Sequence, residues 1–276
     1  MNAKAQFWAL PILVVLIGGA WLVKHQAEPV PDTMQETAEK PGVEHESERP
    51  AININRDGVP DFDAISDVNE MKKAFFDFFY PLVVAENKRV LKKRQIIKES
   101  RVNSTRLQQL CERYLDDCEQ VPEDIRQQLL DQVDIVPPSL ALAQAAKESG
   151  WGRSRFAIEG NNYFGQWCFT EGCGLIPSGR RGDMTHEVRV FKTPRLAVRS
   201  YIFNLNKSHA YEELRDIRAK HRAQGEPFDG HQLAATLLYY SERREAYVEE
   251  LESLIEFNNL TEYDERFWQK PEVAGR

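Results

Sequence analysis

A short helix that is apolar on almost every side constrains the fold of this chain more than any other feature. Pro137-Pro138-Ser139 is a typical helix start, with Ser139 a possible N-cap, and apolar side chains then fill nearly every position up to Ala146. A helix with apolar residues around its whole circumference is stable only when other elements surround it. We therefore expect this helix to lie deep inside a folded domain.

One carboxylate lies at the end of this apolar helix. Glu148 comes just before Gly150, at a helix C-terminus, where the helix dipole disfavours negative charge. The dipole and an apolar surrounding both raise the pKa of a carboxyl group, and a general acid needs a raised pKa near neutral pH. Glu148 is therefore a candidate catalytic acid. The alternative is a surface glutamate at a frayed helix end.

The loop that follows favours the catalytic interpretation. It reads Asn161-Asn162-Tyr163-Phe164-Gly165-Gln166-Trp167 and places side-chain amides beside aromatic rings. Amides hydrogen-bond to the hydroxyl and acetamido groups of sugars, and aromatic faces stack on sugar rings. Phe164 suits a hydrophobic core, but the paired asparagines suit it poorly, so Asn161 and Asn162 are candidate substrate-binding residues. Trp167 is a candidate stacking residue.

The four cysteines predict one disulfide and leave a second pairing open. Cys168 and Cys173 flank Gly172, at which the chain can turn back, so we expect a bridge between them. Cys111 and Cys118 would have Cα atoms about 10 Å apart in a continuous helix, which is more than the roughly 7 Å that a disulfide allows. Either that segment is not one straight helix, or these two cysteines pair elsewhere, or they stay free.

Charge and residue spacing exclude two further classes of function. The 276-residue chain has 36 basic and 43 acidic residues and a net charge of −7, whereas a dedicated nucleic-acid binder usually shows a basic face and a high pI. The six histidines form no HExxH pair, and the cysteines lack the spacing of a paired zinc module. We expect no nucleic-acid partner, no metal and no other cofactor; the alternative is a zinc site made from all four cysteines.

The N-terminal part of the chain predicts export. Residues 7–23 form an apolar run that is short for a membrane span and long for a signal-peptide core. We interpret residues 1–25 as a membrane anchor, with a cleaved signal peptide as the alternative; either exports the rest of the chain and so permits disulfides. Residues 26–60 are acidic and contain several prolines, which is typical of a disordered linker. The ordered domain is expected over residues 61–276.

Helices predominate in the first part of the ordered domain. Apolar residues recur at helical spacing across an N-terminal extension of about residues 65–132, with a kink or break expected near Tyr80 because Pro81 follows it. Basic residues are frequent from Lys88 to Lys98. They indicate a solvated helix face or, alternatively, a contact for an anionic polymer or a membrane surface.

Two motifs together resemble the signature of glycoside hydrolase family seventy-three. They are Glu-Ser-Gly-Trp-Gly at residues 148–152 and Asn-Tyr-Phe-Gly at residues 162–165. Members of this family are bacterial endo-β-N-acetylglucosaminidases that cut peptidoglycan. The insertion between Cys168 and Cys173, and the run Phe78-Phe79-Tyr80-Pro81-Leu82-Val83, are similar more narrowly to Bax-type proteins of Gram-negative bacteria.

The resemblance implies an α+β fold that is mainly helical, a lysozyme-like domain with a small β-lobe beside a sugar-binding groove. Val188 and Val190 alternate with polar residues, as in a short strand, and this strand would belong to the β-lobe. The resemblance covers about residues 65–262, of which about 133–262 would form the catalytic core.

The resemblance also carries over individual residues. Glu148 matches the catalytic glutamate, which would protonate the leaving glycosidic oxygen, and Tyr247 matches an active-site tyrosine. A second carboxylate would come from the β-lobe, with Glu187 preferred to Asp183. The other residues that match family motifs, as substrate-binding candidates, are Phe164, Gly165 and Tyr240.

These inferences predict an endo-β-N-acetylglucosaminidase that cleaves peptidoglycan glycan strands after N-acetylglucosamine. We expect a periplasmic monomer tethered to the inner membrane by its N-terminal segment. The acetamido oxygen of the substrate can itself attack the anomeric carbon, in which case only Glu148 is obligatory and Tyr247 orients the acetamido group. The alternatives are a lytic transglycosylase, which usually has Gly-Leu-Met-Gln in place of residues 162–165, and a non-catalytic, membrane-tethered peptidoglycan-binding protein.

Overall fold

The computed structural model of this chain describes residues 55–118, 122–180, 185–270 and 273. The predicted anchor and the predicted linker up to residue 54 lie outside the described residues. The first described residues, Asn55 and Arg56, pack on the domain. The Asn55 N–H donates to the Lys192 carbonyl at 2.7 Å, and the Arg56 side chain donates to the Ala157 carbonyl at 2.7 Å. Within these ranges, no helix combines the length and the apolar character that crossing a membrane requires.

The described residues form a mainly helical domain with one small sheet, which confirms the α+β class and is consistent with a lysozyme-like fold. The helices are α1 (Val68–Glu99), α2 (Thr105–Tyr114), α3 (Pro122–Gln132), α4 (Pro138–Ser149), α5 (Arg155–Gly160), α6 (Pro194–Lys207), α7 (Glu212–Gln224), α8 (Gly230–Ala234), α9 (Glu245–Phe257) and α10 (Thr261–Trp268). The strands are β1 (Trp167–Cys168), β2 (Gly174–Leu175) and β3 (Glu187–Arg189).

Helix α4 lies at the centre of the domain, as its apolar sequence predicts. Its residues from Leu140 to Ala146 are at most 1% exposed, and α1, α8, α9 and α10 pack around it. The N-cap residue is Pro137, so the predicted capping by Ser139 is wrong. Instead, the buried carboxylate of Asp264 accepts the Ser139 N–H at 2.8 Å and satisfies a donor of the first turn that would otherwise be orphaned.

Helix α1 is continuous through Pro81, so the predicted break is wrong. A proline inside a helix removes one hydrogen bond and crowds the preceding turn, which costs about 3 kcal/mol. Burial of the large side chains on the same face offsets this cost: Phe75, Phe79 and Val83 are all fully buried, and each such side chain contributes about 2 kcal/mol or more. Tertiary packing therefore overrides the local signal of the proline.

The three strands form an antiparallel sheet in the order β1-β3-β2. Trp167 pairs with Val188, and Cys168 with Glu187; on the other side of β3, Gly174 lies opposite Arg189. A Cβ atom at Gly174 would lie only 2.0 Å from the Val188 carbonyl oxygen. Only glycine therefore allows β2 to approach β3 this closely.

Two disulfides are present among the described residues. Cys168 and Cys173 are bonded, as predicted, with Cα atoms 6.2 Å apart. Cys111 and Cys118 are also bonded, with Cα atoms 5.8 Å apart, because α2 ends at Tyr114 and the chain then turns back. Of the alternatives left open by the sequence, the interrupted helix is the correct one. Since both pairs are bonded, the alternative of a four-cysteine zinc site is contradicted.

Candidate active site

Glu148 lies in the last turn of α4, where the buried helix reaches the surface. Gly150 ends the helix in the left-handed conformation (φ 56°), and its N–H closes the final turn. Glu148 is partly exposed, although most of its surroundings are protein atoms. This burial raises the pKa of its carboxyl group, against the opposing effects of a hydrogen bond with Tyr247 and the charge of Lys147. A raised pKa is what the sequence predicts for a general acid.

A chain of three hydrogen bonds ends at Glu148. The hydroxyl of Tyr201 donates to Gln144 Oε1 at 2.5 Å, Gln144 Nε2 donates to the Tyr247 hydroxyl at 2.9 Å, and Tyr247 is hydrogen-bonded to the Glu148 side chain. Gln144 and Glu148 are four residues apart on α4, so they lie on the same face of the helix. The chain holds the Tyr247 hydroxyl against the carboxylate.

Tyrosines from three parts of the chain surround this position. Burial raises the pKa of Tyr201, Tyr240 and Tyr247 well above 10, and the charge of Glu148 acts in the same direction. Tyr240 stacks on Tyr247 with ring centroids 5.5 Å apart. All three therefore remain neutral at physiological pH and can act as hydrogen-bond donors.

The loop after α5 brings Gly165 against the carboxylate. A Cβ atom at Gly165 would lie 3.6 Å from Glu148 Oε2, and the residue has φ +64°, a conformation that favours glycine. Phe164 is buried and stacks on Tyr201 at 4.2 Å, and its carbonyl accepts a hydrogen bond from the Tyr240 hydroxyl at 3.0 Å. The loop, the tyrosines and Glu148 therefore lie together, and the substrate-binding roles of Phe164, Gly165 and Tyr240 stay predictions.

The two asparagines of the loop hold its shape. Asn162 Nδ2 donates to the carbonyls of Gln166 and Arg189, both at 2.8 Å, and Asn162 Oδ1 accepts the Gln166 N–H at 3.1 Å. Asn161 is fully buried, and its Nδ2 donates to the Phe191 carbonyl at 3.1 Å. Contact of these amides with substrate stays a prediction, and one that their internal bonds do not favour.

Glu187, the preferred second carboxylate, supports the disulfide loop. It is 1% exposed, and its two oxygens accept the N–H groups of Gly172 at 3.1 Å and Gly174 at 2.8 Å. These bonds tie the turn between Cys168 and Cys173 to β3. Its predicted catalytic role stays a prediction, and Asp183 lies outside the described residues.

Trp167 is partly exposed on β1, as a sugar-stacking residue must be. One face of its indole ring is covered by the imidazole of His186, with ring centroids 4.0 Å apart and planes at 15°. The stacking role of Trp167 stays a prediction, and only the opposite face of the indole could serve it.

Sequence reasoning missed Gln144 and Tyr201. Gln144 is a polar residue in an otherwise apolar run, and it precedes Glu148 by one helical turn. A buried amide at that spacing needs hydrogen-bond partners, so this position carried a signal that could have been used. Tyr201 had no comparable signal, because it reads as an ordinary apolar position of α6.

The comparisons agree with this geometry. Residues 124–260 match the glucosaminidase family model, described as mannosyl-glycoprotein endo-beta-N-acetylglucosaminidase. The curated protein named protein bax, from Escherichia coli (strain K12), is 28% identical over 200 residues, which cover 68% of this chain and 70% of that protein. No solved structure matches the chain. The family resemblance expected from the sequence motifs is confirmed, and the matched range contains Glu148, Gly165 and Tyr247.

Proposed function

The chain carries a glucosaminidase-family domain over residues 124–260 and is a glycoside hydrolase of N-acetylglucosamine linkages, and we propose that it cleaves peptidoglycan after N-acetylglucosamine with Glu148 as the general acid. The observation that carries this proposal is the environment of Glu148. Burial raises the pKa of this carboxyl group, and it lies where the Tyr247 hydroxyl and Gly165 meet it.

The proposed reaction begins with proton transfer. Glu148 gives its proton to the glycosidic oxygen while the bond between that oxygen and the anomeric carbon breaks. The acetamido oxygen of the substrate forms a bond to the anomeric carbon in place of the leaving group. Water then attacks the same carbon, the bond from that carbon to the acetamido oxygen breaks and restores the acetamido group, and one proton of the water passes to the ionised Glu148. One protein carboxylate is sufficient for this route, so it does not require Glu187.

In this reaction, the Tyr247 hydroxyl would change its hydrogen-bond acceptor. While Glu148 is ionised, the Tyr247 hydroxyl donates to it. Once Glu148 carries the proton, the tyrosine hydroxyl can donate to the acetamido group and orient it. Gln144 holds the tyrosine oxygen in place through both states. The raised pKa of Tyr247 keeps that hydroxyl protonated throughout.

We further propose that the enzyme works as a monomer in the periplasm, tethered to the inner membrane. The apolar run of residues 7–23 supports an anchor, and the two disulfides suit an oxidising compartment. Because the chain is packed on the domain from Asn55 onwards, the linker would be residues 26–54, whose root-mean-square reach is roughly 27 to 32 Å. The domain would then work on the wall close to the membrane.

Digestion of purified sacculi tests the reaction. We expect the protein to release soluble fragments that end in a reducing N-acetylglucosamine, identified by mass spectrometry. Fragments with anhydro-sugar ends would replace the proposal by lytic chemistry. Sacculi that are bound without any release would support a non-catalytic binding protein instead.

Replacing Tyr247 by phenylalanine is expected to lower kcat by roughly 10- to 100-fold, the effect of one hydrogen bond to a charged group. The hydroxyl of Tyr247 lowers the pKa of Glu148, so its removal raises that pKa further. Glu148 then keeps its proton to higher pH, and the basic limb of the kcat/KM profile moves to higher pH. Tyr239→Phe is the matched control, because Tyr239 is 60% exposed. If the basic limb of the profile stays in place or moves to lower pH, the hydrogen bond between Tyr247 and Glu148 is contradicted.

A further inference from the structure

A cationic patch covers the surface where α1, α2 and α6 meet. Its members are Arg89, Lys93, Arg113, Arg195 and Arg199. Three of these arginines converge on the buried carboxylate of Glu86: Arg195 Nε lies 2.6 Å from one of its oxygens, and Arg199 Nε and Arg89 Nε lie 2.9 and 3.5 Å from the other. Three cations thus share this one carboxylate, and its charge also acts on Lys93.

The patch is accessible and carries excess positive charge. The side chains of Arg89, Arg195 and Arg199 are 46%, 45% and 35% exposed. Burial and the charges of Arg113, Arg89 and Arg199 lower the pKa of Lys93 to about 8, while Glu86 acts in the opposite direction. The cations are therefore close enough to repel one another, so an anionic partner would relieve that repulsion.

The N-terminal part of the chain joins the domain beside this patch. The N–H of Asn55 donates to the Lys192 carbonyl at 2.7 Å, and Lys192 precedes Arg195 by three residues. Three residues span at most about 11 Å. Any segment shortly before Asn55 is therefore delivered to the edge of the patch.

The sequence before Asn55 has the complementary charge. Residues 36–48 contain five glutamates, one lysine (Lys40) and one histidine (His45). The glutamates are Glu36, Glu39, Glu44, Glu46 and Glu48. They precede Asn55 by 7 to 19 residues, which corresponds to a root-mean-square reach of roughly 15 to 25 Å. All five can therefore reach the patch.

We propose that this acidic segment, residues 36–48, binds the cationic patch of its own chain. A short covalent link gives an effective concentration in the millimolar range, so a millimolar affinity keeps the contact formed in about half of the molecules. Exposed ion pairs contribute roughly 0.2 to 1 kcal/mol each, and several together reach that affinity at low ionic strength. Salt screens such pairs, so the contact weakens as ionic strength rises.

Zero-length cross-linking tests the contact. The full chain, in micelles of a detergent with a neutral headgroup, is treated with a carbodiimide, which joins activated carboxylates to nearby amines. We expect amide bonds between Lys93 and the glutamates of residues 36–48. The cross-link yield at each lysine is divided by the extent to which a small reagent acetylates that lysine. The normalised yield at Lys93 should be at least five times that at Lys220, which is exposed. The excess should disappear in 0.5 M salt.

A matched pair of double variants separates the patch from general charge. Arg89→Gln with Arg113→Gln keeps the Arg195 and Arg199 bonds to Glu86 and is expected to lower the normalised Lys93 yield at least fivefold. Arg153→Gln with Arg266→Gln removes the same charge elsewhere, at side chains that are 49% and 58% exposed, and should leave the yield unchanged. The proposal is overturned if the cross-link yield at each lysine is simply proportional to the acetylation of that lysine. The proposal is also overturned if anionic lipid, at a headgroup concentration equal to that of the protein, abolishes the Lys93 cross-links. A lipid surface would then be the occupant of the patch.

Discussion

Replacing Glu148 by glutamine is expected to lower kcat on purified sacculi by about 10²- to 10⁴-fold, the range of general acid catalysis. Glutamine has nearly the same shape but has no proton to give at the pH of the reaction. The change should leave the fold and sugar binding in place, because the side chain is partly exposed and not part of the core. The release of reducing ends, measured per unit of enzyme over time, gives the rate.

The control for this variant is Glu249→Gln, an exposed glutamate on α9. It removes the same charge without touching the site and should keep the full rate. Thermal unfolding of Glu148→Gln should match the parent to within a few degrees, which separates lost chemistry from lost structure. Wild-type turnover by Glu148→Gln would rule out Glu148 as the acid.

Replacing Asp134 by asparagine is expected to lower the free energy of unfolding by about 3 to 5 kcal/mol, as when one partner of a buried ion pair is removed. Asp134 is 1% exposed. Its two oxygens accept hydrogen bonds from Arg222 at 2.8 and 2.9 Å, and Arg94 lies 3.3 Å away. Arg218, which is fully buried, adds a third positive charge nearby. Without the carboxylate these cations would repel one another inside the protein.

Urea unfolding measures this effect, with Asp131→Asn as the matched control. Asp131 lies at the helix surface, where it accepts a hydrogen bond from Gln127 at 2.7 Å, so its replacement should cost under about 1 kcal/mol. A loss at Asp134 no larger than at Asp131 would show that the arginines need no buried counter-charge.

The same ion network gives Asp134 a pH dependence. Burial alone would raise its pKa, but the Arg222 hydrogen bonds and the charges of Arg94, Arg222 and Arg218 outweigh burial and hold the pKa below 3.8. A carboxyl group with a lowered pKa in the folded state stabilises the protein above its unfolded pKa. That contribution is lost as pH falls through the folded pKa. The parent should therefore lose stability in acid more steeply than Asp134→Asn.

The sequence was most informative where local chemistry and motif agreed. A raised pKa for Glu148 could be predicted because the residue lies at the end of an apolar helix, and burial does raise the pKa of its carboxyl group. The family motif adds its role as the acid, which stays a prediction. The disulfide of Cys168 and Cys173 needs only a short turn at Gly172, so spacing was sufficient. Both features depend on residues that are close in the sequence.

Features that depend on distant residues could not be predicted. The continuity of α1 through Pro81 rests on packing against helices much later in the chain. The bridge from Cys111 to Cys118 is local, but its prediction required the end of α2 at Tyr114, for which the sequence carries no glycine or proline signal. The internal bonds of Asn162 involve Arg189, and those of Glu187 reach back to Gly172 and Gly174. Asn162 and Glu187 were therefore expected to face the substrate, whereas the tertiary fold supplies hydrogen-bond partners for both.

The hydrogen-bond chain that ends at Glu148 has a consequence for incomplete chains. It joins Gln144 on α4 to Tyr201 on α6 and to Tyr247 on α9, so its last member is made only after most of the domain has been synthesised. A polypeptide that stops before Tyr247 lacks the hydroxyl that is hydrogen-bonded to Glu148. Because loss of the Tyr247 hydroxyl alone is expected to lower kcat roughly 10- to 100-fold, we expect a nascent or truncated product to be a much slower hydrolase than the finished molecule.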